Sequence, residues 1–271
     1  MSERTVNVPI AGTFGWLGVG GARAEIEGPE RHACYELSEN ELRVEVIRDG
    51  EEDLAVTADI PDGARLDLVM IRSGEGIGTG VSDIRVKCGK NASFHWYRVL
   101  LDGEKSYDNC SVQLVGDGSS FSADIGYRLE DSESYDVNCE AIHLGRNTAS
   151  AIRSSGVLAQ NSGKLLRGTI DFRTGCSGSS GEELDDVLLL SDSARNRTVP
   201  VILCAEEDVA GNHGATIGRP DERVLYYLES RGLERQAAIE MLASAKIEAV
   251  IGRIPDERLR EELREELHER G

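Results

Sequence analysis

The feature that most limits the folds open to this chain is a period of two that persists from about residue 38 to 204. Leu42, Val44 and Val46 alternate with charged neighbours, and so do Leu54, Val56, Ala58 and Ile60. Leu66, Leu68 and Met70 repeat the pattern, followed by Ile84, Val86 and Cys88. Such alternation puts one set of side chains on one face of an extended strand. Each run stops at a turn signal: Asp49-Gly50, Pro61-Asp62-Gly63, Ser73-Gly74, Cys88-Gly89-Lys90-Asn91, Asp102-Gly103 or Gly116-Asp117-Gly118. Many short strands at near-regular spacing leave a sandwich, a barrel or a β-solenoid, and periodicity does not choose among them.

Composition removes several functions. A hydrophobic content of 39% supports a real core, while 30 glycines imply many turns. The formal charge of −19 argues against nucleic acid, because phosphate neutralisation needs clustered Lys and Arg. It equally disfavours an anionic membrane surface. Met1-Ser2-Glu3-Arg4 leads into a mixed segment rather than the apolar run of a signal peptide. No stretch approaches the roughly 20 apolar residues of a membrane span. A cytoplasmic protein is the expectation, with Cys34, Cys88, Cys110, Cys139, Cys176 and Cys204 as reduced thiols lacking any CxxC spacing. Cys88, Cys110 and Cys139 sit in alternating segments and read as small buried apolar residues. The glycine-rich runs at Gly15–Gly21 and Gly74–Gly80 are not followed by Lys-Ser or Lys-Thr, so neither is a P-loop. Any ATP chemistry belongs to another chain.

The pattern changes near residue 219. Pro220, Asp221 and Glu222 suit a helix start, and Gly232 suits its end. A second helix over 234–252 would put Ala238, Met241, Leu242, Ala245 and Ala249 on one face. A third begins at Pro255, with Leu259, Leu263 and Leu267 as a narrow stripe among Glu and Arg. The chain therefore divides into an N-terminal segment (1–37), a β body (38–218) and a helical tail (219–271).

No cap or strand period demands the string Asn212-His213-Gly214-Ala215-Thr216-Ile217-Gly218, or Tyr226-Tyr227-Leu228-Glu229-Ser230-Arg231-Gly232 after it. With His143-Leu144-Gly145-Arg146-Asn147-Thr148, Ser155-Gly156-Val157-Leu158, Arg167-Gly168-Thr169-Ile170 and Thr198-Val199-Pro200 upstream, these runs are collinear with motifs of the SufB/SufD family. Proteins of that family form the non-ATPase part of the SUF iron–sulfur cluster assembly machinery. The resemblance implies a mainly β fold, a right-handed parallel β-helix with a small C-terminal helical region. It implies a SufC-like ABC ATPase and a second SufB/SufD-like chain as partners, and a transient iron–sulfur cluster or iron rather than a tightly bound cofactor. The first 37 residues are too few for the helical region that usually precedes the β-helix.

Carried over residue by residue, the resemblance singles out His213, whose imidazole could ligate iron at a subunit interface. The positions of the SufB-type functional cysteines fall at Asp185 and near Ala194, and the SufB glutamate after the motif histidine is Gly214. The SufD cysteine two places before that histidine is Gly211, and these departures place the chain nearer SufD. Cys204 could approach His213 in an adjacent strand, and Asp185, beside Asp186, could supply a carboxylate. The same residues could instead be a structural histidine, a core thiol and a solvated turn. Tyr226, Tyr227 and Arg231, with the Leu259/Leu263/Leu267 stripe, are the candidate partner-binding residues of the tail. Two other classes remain, a structural adaptor that never contacts iron and a β-helix carbohydrate-active enzyme. The second would want acid pairs beside aromatics, and the chain has only two Trp and four Phe.

Overall fold

The computed structural model describes residues 2–10, 19–26, 28–74 and 76–270, so the glycine run beginning at Gly15 lies largely outside the described residues. An antiparallel pair, β1 (Ser2–Val6) and β2 (Ala22–Ile26), comes first. The chain then winds between two facing sheets. The strands are β3 (Glu30–Glu36), β4 (Leu42–Arg48), β5 (Asp53–Ile60), β6 (Arg65–Arg72), β7 (Thr79–Cys88), β8 (Ser93–Leu100), β9 (Lys105–Leu114) and β10 (Ser120–Leu129). They continue as β11 (Ser134–His143), β12 (Ala149–Leu158), β13 (Gly163–Phe172), β14 (Ser179–Leu189), β15 (Arg195–Cys204) and β16 (Val209–Gly218). The odd-numbered strands form one parallel sheet of seven and the even-numbered strands the other. Every crossing to the same sheet lands one strand further on, which is a parallel β-solenoid rather than a sandwich. Strand β3 lies within the expected N-terminal segment, so the winding starts at Glu30 rather than 38. Its charged alternation conceals it, because a first rung is covered on one side only and tolerates Arg31 on its inward face.

In-register parallel neighbours point to the same side, so inward residues stack into columns. Leu54, Val56, Ala58 and Ile60 align with Ser82, Ile84, Val86 and Cys88 of β7, and all eight are buried. Phe94 and Phe121 align and stack at 5.7 Å. Cys88, Cys110, Cys139 and Cys176 are buried free thiols, and Cys34 and Cys204 are exposed.

One corner of the winding is a staircase of turns. Asn40, Gly63, Asn91, Gly118, Asn147 and Gly178 hold the left-handed conformation at φ 58, 71, 52, 71, 54 and 78°. Their N–H groups continue the sheet ladder through the turn, as with Asn91 to Asp117 O at 2.9 Å and Gly118 to Arg146 O at 2.8 Å. A Cβ on Gly118 would run into the Asn91 side-chain oxygen. Gly118→Ala should therefore lower the unfolding free energy by about 1–2 kcal/mol, the usual left-handed penalty for an L-residue, measured by urea unfolding.

Charges also enter the interior. Arg98 is buried and donates through Nε to Asp108 Oδ2 at 2.8 Å and through Nη2 to Asp49 Oδ2 at 2.9 Å. Asp108 accepts further bonds from Ser82 Oγ at 2.5 Å and Tyr135 OH at 2.7 Å. The Arg72 guanidinium, fully buried beside Asp49, donates to the carbonyls of Gly50 and Gly78.

Three helices follow, α1 (Glu222–Ser230), α2 (Arg235–Ile251) and α3 (Glu257–Glu269). Asp221 caps α1 by accepting from Arg223 N at 2.8 Å, and Gly232 ends it at φ 93°. Helix α2 buries Ala238 and half-buries Leu242 as the spacing predicts, but it turns Ala243, Ile247 and Val250 to the core and leaves Met241, Ala245 and Ala249 of the expected face exposed. Burying Ile and Val removes more apolar area from water than burying Ala, so bulk decides the face. The Leu259/Leu263/Leu267 stripe is likewise covered. It packs with Ile247 and Ile251 of α2 against Val69, Ile71, Tyr97 and Val99 on the outer face of the even-numbered sheet. It is core of this chain and is corrected as a partner-binding surface.

Candidate functional site at the open end of the solenoid

Strands β15 and β16 are last in their sheets, so the final rung presents its inward face to solvent. His213 is exposed in the middle of β16 and pairs in register with Glu183 of β14. Both therefore face the interior of the winding. Glu183 is buried, its Oε1 has no hydrogen-bond partner, and a Cβ on Gly168 across the interior would meet its carboxyl group. The glycine of the Arg167-Gly168-Thr169-Ile170 run thus leaves room for that acid. Burial, and then the neighbouring Asp185 charge, push Glu183 up to about 7.

Two residues further along β14, Asp185 is also inward and buried. It accepts from Lys164 Nζ at 2.6 Å and from Thr198 Oγ1 at 2.6 Å. Burial pulls Lys164 below its ordinary range even against the pull of Asp185. Lys164 also lies over the Tyr127 ring at 5.6 Å, and Tyr127 packs on Tyr135, so polar side chains run from the end of the winding back to Asp108. Asp185 is neither a solvated turn nor an accessible metal ligand; it is the counter-ion of a buried lysine. Asp186, on the outer face, pairs with Lys246 of α2 at 2.5 Å.

The other sequence candidates are spread out. Cys204 is exposed at the corner that ends β15, and its thiol donates to Glu206 O at 3.0 Å. His213 sits four residues into β16, roughly 13 Å of strand beyond that corner, so the two do not meet within one chain. Among the described residues no group of three or more His, Cys, Asp or Glu side chains is placed to hold a metal ion. One imidazole over one buried carboxyl is half of a ligand set at most, since an iron–sulfur cluster uses about four protein ligands. Tyr226 and Tyr227 are 75% and 55% exposed on α1, with Arg231 over the Tyr227 ring at 5.2 Å. Glu183 and Lys164 escaped sequence reasoning, although the alternation through Ser179–Leu189 already set Glu183 and Asp185 on the face of Val187. Among the described residues no helix is long and apolar enough to cross a membrane.

Residues 40–246 match the family model for the SufBD core domain of SUF system FeS cluster assembly. The iron-sulfur cluster assembly protein SufD of Bacillus subtilis is 27% identical over 69% of this chain, which covers 43% of SufD. A SufBD family protein of Mycobacterium leprae is 31% identical over 62% of the chain and 18% of its own length. SufB of Bacillus subtilis is 24% identical over 64% of the chain and 37% of SufB. The chain thus spans less than half the length of these relatives. With the parallel solenoid and the matched core domain together, this chain belongs to the SufBD family of the SUF iron–sulfur cluster assembly system.

Proposed function

We propose that this protein is a scaffold subunit of a SUF-type complex, whose last rung pairs with another SufB/SufD-like chain and whose helical tail carries a SufC-like ABC ATPase. His213 carries the reading: an exposed imidazole on the last strand of its sheet, in register with Glu183, whose Oε1 has no hydrogen-bond partner. Iron or a nascent cluster is the cargo, and His213 and Glu183 fit it as borderline and hard donors. A second chain must complete the set. Tyr226, Tyr227 and Arg231 support α1 as the ATPase face, because the rest of the tail is spent on covering its own sheet. Nucleotide-dependent ATPase movement would shift the paired ends, provided the two ATPase states bind the tail differently.

The scattered ligands favour a second reading, an adaptor that binds the ATPase without touching iron. Anaerobic reconstitution of the ATPase complex with iron and sulfide separates the two. The scaffold reading expects a visible charge-transfer band. His213→Ala should weaken iron binding by at least about tenfold, with stability changed by no more than about 0.5 kcal/mol for an exposed residue. Wild-type complex that takes up no iron in any nucleotide state decides for the adaptor.

A further inference from the structure

The first rung carries an apolar row on its outer side. Strand β4 pairs in register with β6, so Arg43, Glu45 and Ile47 align with the buried Leu66, Leu68 and Met70 and point into the winding. Leu42, Val44 and Val46 therefore point outward, and they are 67, 42 and 45% exposed. The alternation that marks β4 as a strand thus has its apolar face outside. Among the described residues no other strand exposes more than one large apolar side chain. An exposed apolar row rimmed by polar groups marks an interaction surface.

Another strand is the wrong cover. A rung stacked under the first would bury Arg31, Arg43 and Glu45 of its inward face, and inward charges of this kind block strand addition. The occupant must lie flat on the outer face, as α3 does one strand over. There Leu263 and Leu267, four residues apart, pack with Val69 and Ile71, two residues apart on β6. Helix positions i and i+4 are about 6.0 Å apart and strand positions i and i+2 about 6.6 Å, so the two rows interlock. Val46 stands in register with Val69, which sets the open row beside the covered one in the same sheet. Its rim is acidic on the α3 side. Arg48, which ends the row, pairs with Glu262 at 2.6 Å and with Glu266 at 2.8 Å, one cation against two carboxylates. At the other end Arg65 is held by Asp67 at 2.8 and 2.9 Å, and Arg43 by Glu41 at 2.6 Å.

The geometry points to a docking bed for an amphipathic helix of another protein, one with large apolar side chains at i and i+4 and lysine or arginine beside them. Its apolar row packs on Leu42, Val44 and Val46, and its basic flank lies along Glu262 and Glu266 of α3. The surface is separate from the last rung and from α1, and it stands whether or not the chain handles iron. A second copy supplies no such helix, because its own Leu259/Leu263/Leu267 row is buried and bordered by glutamates.

Fluorescence anisotropy on the full chain provides the test. The probe is a labelled synthetic peptide of about 18 residues, long enough to form a helix in water, with Leu at i and i+4 and Lys on the flanks. Wild type should bind it, and more weakly as salt rises from about 0.05 to about 0.3 M. Leu42→Ser with Val44→Ser should weaken binding at least about tenfold, because two apolar contacts are lost. Replacing the peptide's Lys by Glu should weaken it to a similar degree, and Glu262→Lys with Glu266→Lys in the protein should invert that preference. A peptide of the same composition interrupted by central prolines cannot form the helix and should not bind. Leu42, Val44 and Glu262 are exposed and Glu266 is half-buried, so circular dichroism should not change. A wild-type chain that does not bind the peptide overturns the proposal. Equal binding by the Leu42/Val44 variant, or of the glutamate or proline peptide, overturns it too. So does self-association of wild type in sedimentation velocity that the Leu42/Val44 variant lacks, since a second copy then occupies the row.

Discussion

Arg98→Ala should cost about 3–5 kcal/mol of unfolding free energy, the loss typical of breaking a buried ion pair from one side. Asp49 and Asp108 are both buried and both bond to this guanidinium, and Asp108 also serves Ser82 and Tyr135. Removing the arginine leaves two buried carboxylates with Arg72, 3.6 Å from Asp49, as the remaining ion-pair partner. Urea unfolding followed by circular dichroism measures the effect. A loss below about 1 kcal/mol would mean that water reaches the pair, because only solvated ion pairs are worth so little. Arg98→Met with Asp108→Asn, which keeps Asp49 for Arg72, should recover much of the loss, since the apolar replacement needs no counter-ion.

The second large effect depends on pH. His143 is buried between Thr148 Oγ1 at 2.7 Å and Ser150 Oγ at 2.9 Å, with the Phe172 ring at 4.7 Å. Burial lowers it from 6.5 to about 4. The folded chain therefore holds fewer protons than the unfolded chain between those values. His143 contributes stability that is present above about pH 6.5 and is lost as pH falls through about 4, in total about 3 kcal/mol. Glu183 works the other way in an overlapping window: raised from 4.5 to about 7, it favours the folded state at low pH and loses that contribution as pH rises. Subtracting the stability–pH curve of His143→Asn from that of wild type isolates the histidine. Parallel curves between pH 4 and 7 would show an imidazole that reaches solvent.

The strands and their inward faces were legible because that signal is local, whereas the choice of a solenoid over a sandwich came from the family motifs. A residue such as Val56 or Leu68 declares its inward position through its immediate neighbours, and the turns declare themselves through Asn and Gly. The beginning was less legible, since Arg31 on an inward face looks like surface until its rung is known to be the first. The interior charges were hidden for a related reason. Asp185 becomes a core residue only through Lys164, a pairing made across the winding, and adjacent acids in sequence otherwise signal solvent. The Leu259/Leu263/Leu267 stripe was visible, but its cover was not, because Val69 and Tyr97 lie far back in the chain. His213 and Cys204 are close in sequence, yet strand geometry holds them apart.

The staircase of turns fixes how such a chain can lengthen or shorten. Asn40 stands under Gly63, Asn91 under Gly118 and Asn147 under Gly178, and in each pair a Cβ on the glycine would strike the asparagine side chain below. Asparagine on glycine is open; asparagine on asparagine is blocked. Deleting one glycine-bearing rung would stack two asparagines, and duplicating an asparagine-bearing rung would do the same. A single-rung indel that keeps the winding intact must therefore remove an asparagine-bearing rung or repeat a glycine-bearing one, and any other must take the two kinds of rung together.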